Sequence, residues 1–256
     1  MKGDFMEYNK GFAHIYDELI NPDINYKKWS KYIYDVCLKS EIKFDKYLDL
    51  ACGTGNLTEN LCTKFKDVWA VDMSEDMLCE AEEKFRNKGF KAKFICQDIS
   101  KLSLNMKFDL ITCCLDSTNY ITCENDLKSY FSQVEKSLED DGLFIFDINS
   151  CYKLTKVLGN NTFDFDNDEV VYVWENSLEE DIVNMYLMFF IKKEDSIYER
   201  FDEEHQERAY SELQLDKYLN AVGLSVIKKV DCYEEKDIND HTERITYIVK
   251  KTRNIK

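Results

Sequence analysis

The chain has 256 residues, of which 44% are hydrophobic, and this length fits one large domain or one domain with a substantial insertion. Its 34 basic and 50 acidic residues give a formal net charge of −16, which repels phosphate backbones and argues against a nucleic-acid substrate. No apolar run approaches the ~20 residues that a membrane helix needs, and the first ten residues lack the apolar stretch of a signal peptide. We therefore expect a cytoplasmic protein that binds neither nucleic acid nor a membrane.

The chain has ten cysteines, none of them in C-x-x-C spacing, and several lie within apolar runs. Disulfide frameworks are typical of short secreted chains, so we interpret these cysteines as reduced and mostly buried. The three histidines, His14, His205 and His241, are far apart in the sequence and form no metal-ligand pattern. We therefore expect no metal site.

The first forty residues predict a helical N-terminal arm, residues 1–40, rich in aromatic side chains. Two stripes of residues at helical spacing lie on either side of Pro22, which interrupts the pattern. The stripes contain Phe12, Ile15, Tyr16 and Leu19, then Tyr26, Trp29, Ile33 and Val36. The minimal fold that follows has no place for such an arm, so we predict that residues 8–35 act as a mobile lid.

Short apolar strands alternate with amphipathic helical stripes from residue 46 onward. The predicted strands are 47–51, 68–71, 92–96, 108–115 and 143–148. Ser74 is placed to begin one of the helices between them, and Gly89 is placed to end it. Strands that alternate with helices in this way predict an α/β fold with a parallel sheet covered on both faces.

After residue 149 the pattern changes to successive strands without helices between them. These strands are predicted at 170–174, 182–191 and 196–208. We interpret residues 155–210 as an antiparallel β insertion. Its aromatic residues either wall an acceptor pocket or form a small core or a dimer face of their own. These residues are Trp174, Tyr186, Phe189, Tyr198 and Phe201.

The remaining residues return to the core, which we assign to residues 41–154 and 211–256. A capping-box sequence at 211–214 predicts the start of a helix. Strands predicted at 224–233 and 244–249 follow without a helix between them. This order predicts an antiparallel hairpin that closes the sheet.

The strongest motif is the strand–turn–helix around Gly53 and Gly55. Glycine tolerates positive φ and has no side chain to block a ligand, and the helix that follows presents free N–H groups. Asp72 lies 19 residues beyond Gly53 at the end of the second predicted strand, where a carboxylate can accept hydrogen bonds from ribose hydroxyls. Asp98 ends the third strand and could accept a hydrogen bond from an exocyclic amine. Together these residues predict a nucleoside site at the carboxyl edge of the sheet.

Two residues favour S-adenosylmethionine over a dinucleotide as the ligand of this site. Thr58 stands where the G-x-G-x-x-G pattern has its third glycine, which argues against a pyrophosphate. Asp49, just before the turn, suits the cationic methionine end of S-adenosylmethionine. A nicotinamide-dependent oxidoreductase stays open as an alternative.

At this point the sequence resembles the class I S-adenosylmethionine-dependent methyltransferases. Four successive motifs of that family have counterparts at 48–55, 70–74, 96–99 and 108–120. The resemblance covers residues 45–150 and 211–250, and the whole chain is similar to bacterial small-molecule methyltransferases. It implies a doubly wound, seven-stranded, mostly parallel Rossmann-like sheet with a reversed final strand.

The resemblance also implies roles for single residues around S-adenosylmethionine, the expected cofactor. The methionyl part would be approached by Ala51, Gly53 and Gly55. Ribose and adenine would be held by Asp72, Met73, Met77, Asp98 and Ile99, although Met77 also fits a plain core stripe. Leu115 would meet the methionine ammonium through its backbone, and Tyr16 and Trp29 of the arm would close over the cofactor.

Methyl transfer is an in-line displacement on a sulfonium, so the protein must mainly align the acceptor and exclude water. A general base helps only where the acceptor must lose a proton. Tyr120 and His205 are the candidate catalytic residues, with Glu204 beside them, although a strand so rich in charge favours a solvated surface histidine. The acidic balance of the chain favours a neutral or cationic acceptor such as an amine.

The predicted function is therefore the S-adenosylmethionine-dependent methylation of a small-molecule acceptor by a monomer or weak homodimer. One alternative is a protein or tRNA methyltransferase, although the sequence has no basic or aromatic-basic patch to support it. Another is a sensor that binds S-adenosylmethionine without turnover, which intact cofactor motifs also allow.

Overall fold

A computed structural model describes residues 16–17, 24–167, 169–194 and 197–252. Its α-helices are α1 Tyr26–Lys39, α2 Asn56–Cys62, α3 Glu75–Lys88, α4 Glu124–Ser137 and α5 Glu212–Ala221. The strands of the larger sheet are β1 Lys46–Leu50, β2 Asp67–Asp72, β3 Lys93–Cys96, β4 Phe108–Cys113, β5 Leu138–Asn149, β10 Leu224–Asp231 and β11 Arg244–Lys251. The strands of the smaller sheet are β6 Thr162–Asp166, β7 Val170–Glu179, β8 Ile182–Glu194 and β9 Ile197–Arg208.

The larger sheet has the order β10-β11-β5-β4-β1-β2-β3. β1 pairs in parallel with both β2 and β4, and β5 pairs in parallel with β4. β11 runs antiparallel to both of its neighbours, β5 and β10. The prediction of a doubly wound, mostly parallel, seven-stranded sheet closed by a reversed strand is confirmed.

Two hydrophobic cores cover the two faces of this sheet, because neighbouring strand residues point to opposite sides. Leu48 packs with α4 and α5 on one face, whereas Tyr47 packs with α1 and α2 on the other. Phe146 continues the first core through rings stacked at 4.8 Å on Phe144 and 4.7 Å on Tyr247. The sheet is therefore buried on both sides, as the near-continuous apolar runs of its strands predict.

The helix boundaries follow the local sequence. Ser74 accepts a hydrogen bond of 3.2 Å from the Met77 backbone N–H at the start of α3, and Gly89 ends that helix at φ 71°. Ser211 and Gln214 form the predicted capping box at the start of α5.

The insertion forms the smaller sheet, whose four antiparallel strands have the order β6-β7-β8-β9. Its edge strand β6, most of whose residues are exposed, has no counterpart among the predicted strands. A π-helix at Lys153–Leu158, which connects β5 to the smaller sheet, was not predicted either. β7 extends five residues beyond the prediction of 170–174.

The arm predicted over residues 1–40 is described in two parts, Tyr16–Asp17 and α1; the first apolar stripe otherwise lies outside the described residues. α1 is part of the core rather than a free cover, since Ile33 and Cys37 are fully buried against the sheet. Within the described ranges, no helix combines the length and the apolar character that a membrane crossing requires.

Candidate active site

A cavity of about 820 Å³ lies at the carboxyl ends of β1, β2 and β4 and extends under the smaller sheet. One half of its lining comes from the core and includes Asp49, Ala51, Gly53, Asp72, Met73, Met77, Asp98, Ile99 and Leu115. The other half includes Tyr120, Asn149, Lys153, Trp174, Met185, Leu187, Glu204, His205 and Glu207. We call these two parts the cofactor half and the acceptor chamber.

The turn after β1 holds the cofactor half open. Ala51 at φ 51° and Gly53 at φ 53° both occupy the left-handed region, which lets the backbone face the cavity. No described atom lies within 4 Å of the place where a Cβ on Gly53 would be. Gly55 does not line the cavity and faces α3 instead, where a Cβ would meet Ala81 and Phe85 at 3.3 Å. The expectation that Gly55 approaches the ligand is therefore wrong; its small size lets α2 and α3 pack closely.

Asp49 lies at the floor of the cofactor half and is almost fully buried. Thr58 and Thr112 donate hydrogen bonds of 2.5 and 2.6 Å to its carboxylate. Burial raises the pKa of Asp49 to about 6, although these hydrogen bonds lower it. Thr58, the residue in place of the third glycine, thus holds the carboxylate that a cationic ligand would meet.

Asp72 ends β2 with its side chain folded back over the glycine turn. Its carboxylate accepts hydrogen bonds from the backbone N–H of Gly53 at 2.7 Å and of Ser74 at 2.9 Å. Burial raises its pKa, and these backbone donors oppose the shift. Asp72 therefore links the glycine turn to the end of β2 and still lines the cavity.

Asp98 follows β3 and lies at the rim of the cofactor half. Its carboxylate accepts hydrogen bonds from the Ser100 backbone at 2.8 Å and from Lys101 at 2.9 Å. Burial alone would raise the pKa of Asp98, but Lys101 and Ser100 outweigh it and the pKa is lowered. Ile99, beside it, also lines the cavity, as both residues must if they are to meet an adenine ring.

Three further side chains from the sequence prediction line the cofactor half: Tyr16, Met73 and Met77. Met73 is 42% exposed, whereas Met77 is buried and packs with Tyr16 against the insertion. Met77 thus belongs to both the core and the cavity wall.

Trp29 does not line the cavity, contrary to the expectation that it closes over a cofactor. Its ring is 3% exposed and stacks on Tyr233 at 4.4 Å. The guanidinium of Arg244 lies 5.4 Å from the centre of the same ring. Trp29 therefore stabilises a cluster beneath the cavity rather than covering a ligand.

That cluster fixes the loop after β4. The predicted strand 108–115 ends at Cys113, because Leu115 and Asp116 have φ values of 60° and 53°. Asp147 of β5 accepts hydrogen bonds of 2.8 Å from both backbone N–H groups, and also from Tyr233 and Arg244. Asp147 thus takes up the Leu115 N–H. A ligand ammonium needs an acceptor, so it would meet the Leu115 carbonyl, and this role stays a prediction.

Tyr120 and His205 meet in the acceptor chamber, where their rings lie 5.8 Å apart at nearly a right angle. His205 is 6% exposed, so its interpretation as a solvated surface residue is wrong. Burial lowers the pKa of His205 to about 4, although the Asp116 charge opposes this. The imidazole is therefore neutral at pH 7, and its role in catalysis stays a prediction.

A polar chain on the chamber floor was missed by the sequence analysis. The Lys153 ammonium donates to Asn149 Oδ1 at 3.0 Å, and Asn149 Nδ2 donates to Glu207 at 2.8 Å. Burial raises the pKa of Glu207 well above its ordinary value and lowers that of Lys153. The only sequence cue was that Glu207 follows His205 at strand spacing, which puts both on one face of β9.

The aromatic residues of the insertion contribute less to the cavity than predicted. Trp174 lines it, but Phe189 and Phe201 pack with Met77 in a cluster of their own. Tyr198 is 45% exposed and lies outside the cavity lining. Phe189 and Phe201 therefore join the insertion to α3 rather than wall the cavity.

The comparisons with known proteins agree with this geometry. A family model described as a methyltransferase domain matches residues 48–142. The Bacillus subtilis (strain 168) protein named "Putative methyltransferase YqeM" is 28% identical over 249 residues, covering 96% of this chain and 98% of that protein. A solved S-adenosylmethionine-dependent methyltransferase from Clostridium acetobutylicum ATCC 824 is 59% identical with a TM-score of 0.90, covering 95% of this chain and 98% of that one. The chain belongs to the class I S-adenosylmethionine-dependent methyltransferases.

A more distant structure resembles the methyltransferase in fold alone. The sugar N-methyltransferase KedS8 from Streptoalloteichus sp ATCC 53650 is 16% identical with a TM-score of 0.76. The alignment covers 98% of this chain and 96% of that one. The insertion and the core of the methyltransferase are thus found together in an enzyme of very different sequence.

The cofactor half fits S-adenosylmethionine. The open space at Gly53 admits a ligand against the backbone, and buried Asp49 and Asp72 supply carboxylates on the same side. Asp72 would hold the ribose hydroxyls, and Asp49 would favour the cationic methionine end. S-adenosylmethionine supplies, when bound, an electrophilic methyl group on a sulfonium. The contribution of the chain is to orient an acceptor in the adjoining chamber and to exclude water from it.

Proposed function

We propose that this methyltransferase methylates a small-molecule amine held in the acceptor chamber. One observation carries the proposal: a single cavity of about 820 Å³ joins the glycine turn to the inner face of β8 and β9. This volume is in the range of pockets that enclose small organic ligands. The formal net charge of −16 also disfavours a tRNA acceptor.

The basicity of the chamber favours nitrogen over oxygen as the acceptor atom. An alcohol needs a base that takes its proton during attack, and such a base works best with a pKa near the working pH. His205, with a pKa of about 4, is too weakly basic for that task at pH 7, and burial raises the pKa of Glu207 so that it favours the neutral form, which cannot act as a base. An amine loses its ammonium proton to solvent before it binds and then attacks with its lone pair, so it needs no base during the attack. It needs only to be oriented, which a neutral imidazole beside Tyr120 can do.

The buried charges of the chamber do not oppose an amine. Arg244 is bound by Asp116 and Asp147, and burial raises the pKa of Glu207 so that it favours the neutral form. The sugar N-methyltransferase KedS8, similar in fold, also has a nitrogen acceptor by its name. That likeness extends to the fold alone, so the choice of nitrogen rests on the weak basicity of His205.

A panel of primary amines and the alcohols of matched carbon skeleton tests this proposal. S-adenosylhomocysteine formation is measured for the wild type, His205→Ala and the exposed control Tyr198→Ala. We expect turnover with amines and not with alcohols. His205→Ala should raise the acceptor KM or lower kcat at unchanged S-adenosylmethionine affinity, and Tyr198→Ala should behave as the wild type. Turnover with alcohols, or a His205→Ala variant with full activity, would contradict the proposal.

A further inference from the structure

We propose that the acceptor carries a carboxylate in addition to its amine, and that the Lys153 ammonium and the Trp174 indole N–H bind that carboxylate. This inference rests on the proposed function, because it assumes that the acceptor chamber receives the methyl acceptor. It narrows the substrate class to amines that bear an acidic group.

Lys153 is a half-buried cation with unused donors at the chamber floor. It lies on the π-helix Lys153–Leu158 and lines the cavity. Among the described residues, Asn149 Oδ1 at 3.0 Å is the single acceptor of its ammonium. An ammonium group has three N–H donors, so two of them are left for a ligand.

Trp174 supplies an independent observation on the same wall. Its indole Nε1 is buried and has no hydrogen-bond acceptor within the ranges that the structure describes. A buried donor without a partner costs free energy, which a ligand oxygen would recover. Trp174 packs in one apolar cluster with Leu154, the residue that follows Lys153 in the chain. Lys153 and Trp174 both line the cavity, so one ligand within it can meet both residues.

The neighbouring charges leave Lys153 available for an anion. Arg244, the other cation of the lining, is bound by Asp116 and Asp147. Glu207 is hydrogen-bonded to Lys153 only through Asn149, and burial raises the pKa of Glu207 so that it favours the neutral form. Burial and the Arg244 charge lower the pKa of Lys153 more than Asp116, Glu207 and Glu243 raise it, and an anion beside it would favour its charged form.

The same surroundings favour a carboxylate over a phosphate. The two oxygen atoms and the single negative charge of a carboxylate match one ammonium and one indole N–H. A phosphate dianion would bring a second negative charge for which the described lining has no second free cation, because Arg244 is bound by Asp116 and Asp147. The acceptor class that these contacts fit is therefore an amino carboxylate.

A binding experiment tests the anion site without turnover. The enzyme saturated with S-adenosylhomocysteine is titrated calorimetrically with butyrate and with butyramide, its uncharged analogue. We expect butyrate to bind the wild type about tenfold more tightly, in line with a charge-assisted hydrogen bond. Lys153→Met should abolish this preference, and Trp174→Phe, which keeps the ring, should weaken butyrate about threefold. Lys156→Met, an exposed lysine of the same π-helix outside the cavity lining, should behave as the wild type.

A transfer experiment separates this inference from the proposed function. β-Alanine, ethylamine and phosphoethanolamine are compared as acceptors, and we expect the lowest KM for β-alanine and a loss of that advantage in Lys153→Met. Equal KM values for β-alanine and ethylamine, or a preference for phosphoethanolamine, overturn the inference while amine methylation stands. Equal binding of butyrate and butyramide to the wild type overturns it as well. Butyrate binding that depends on Lys153, together with no amine turnover, would retain the anion site and reject the proposed function.

Discussion

Two buried carboxylates, Asp49 and Asp72, lie on the floor of the cofactor half, and burial raises the pKa of both. Each is held by donors from the chain itself, hydroxyls for Asp49 and backbone N–H groups for Asp72. These donors fix the carboxylates in place before any ligand arrives. A ligand with a cationic end and ribose hydroxyls would meet an arrangement that needs little rearrangement.

Replacing Asp72 by Ala should weaken S-adenosylmethionine binding strongly. The change removes the ribose acceptor and also frees the Gly53 N–H that orders the turn. A charge-assisted hydrogen bond contributes ~1.5–3 kcal/mol, so we expect the Kd in calorimetry to rise at least about tenfold. Glu75→Ala, an exposed acidic residue in the first turn of the next helix, is the matched control. An unchanged Kd in a folded Asp72→Ala variant would remove Asp72 from the cofactor site.

S-adenosylmethionine affinity should depend on pH through Asp49. The free enzyme holds the pKa of this carboxyl at about 6, and a cationic ligand favours its ionised form. The ligand therefore lowers this pKa, so affinity should rise as pH increases from about 5 to about 7 and be lost as pH falls through the same range. Asp49→Asn should bind more weakly at pH 7 and lose most of this dependence. The same slope in Asp49→Asn as in the wild type would assign the titration to another group.

Among the larger elements, the N-terminal region divides into two parts with different roles. α1 is held by the core through Ile33 and Cys37. Asp17 is instead bound to the cofactor half, where it accepts hydrogen bonds from Thr54 at 2.6 Å and from Lys84 at 2.5 Å. A connection between this short segment and the glycine turn can control how fast a bound cofactor leaves.

Lys84→Met should therefore speed the release of S-adenosylmethionine. Lys84 joins Asp17 to the Thr54 carbonyl and to Asn56, so its loss loosens three contacts at once. We expect stopped-flow measurements to give a release rate several times higher, since each partly buried contact is worth about 1 kcal/mol. Lys88→Met is the control and should leave the rate unchanged. Lys88 lies on the same helix as Lys84, and the substitution removes an exposed ion pair with Glu59 of α2.

Hydrogen exchange tests whether the lid predicted over residues 8–35 becomes ordered when the cofactor binds. Backbone amides of α1 should be equally protected with and without cofactor, because the helix is buried in the core. Tyr16 and Asp17 should gain protection on cofactor binding, and less so in Lys84→Met. Ligand-dependent protection of α1 would show that this helix also moves.

On the scale of the whole molecule, one buried ionic cluster joins the core strands to the loop that faces the ligand. Arg244 begins β11, Asp147 lies on β5 and Asp116 lies in the loop after β4. Tyr233, between β10 and β11, donates a further hydrogen bond to Asp147. The reversed strand of the fold is therefore connected directly to the acceptor chamber.

Arg244→Met should destabilise the fold. The substitution leaves Asp147 buried without its cation, and breaking a buried ion pair typically costs about 3–5 kcal/mol. We expect urea titration to show a decrease of about that size in the free energy of unfolding. Arg200→Met, which removes an exposed pair with Asp202, should change it by less than about 1 kcal/mol. A decrease as small as that for Arg200→Met would mean that the cluster contributes little to stability.

The sequence predicted those parts of the molecule that depend on residues close together in the chain. Strand and helix periodicity placed the core elements, and the glycine turn with Asp72 placed the nucleoside half of the cavity. Gly55 was misassigned because its sequence position is the same whether it faces a ligand or, as here, Ala81 and Phe85. β6 was missed because its alternation of Phe and Asp extends over only five residues, most of which are exposed.

The acceptor chamber could not be predicted in the same way, because contacts between distant segments build it. His205 and Glu207 are part of a visibly alternating strand, but only the packing of β9 over β5 decides that their face is buried. Lys153 and Asn149 have no motif around them. Trp29 was placed over the cofactor because an aromatic arm suggests a lid, whereas its stacking on Tyr233 depends on the closing hairpin.

The most direct test of small-molecule methylation is transfer of a trideuterated methyl group from labelled S-adenosylmethionine into a fractionated cell extract. The label is measured by mass spectrometry separately in metabolites, proteins and RNA, at a cofactor concentration near the wild-type Kd and with Asp72→Ala as the binding-deficient control. We expect label in the metabolite fraction with the wild type and several-fold less with Asp72→Ala. Label in the protein or RNA fraction, or tight S-adenosylmethionine binding with no label in any fraction, would contradict it.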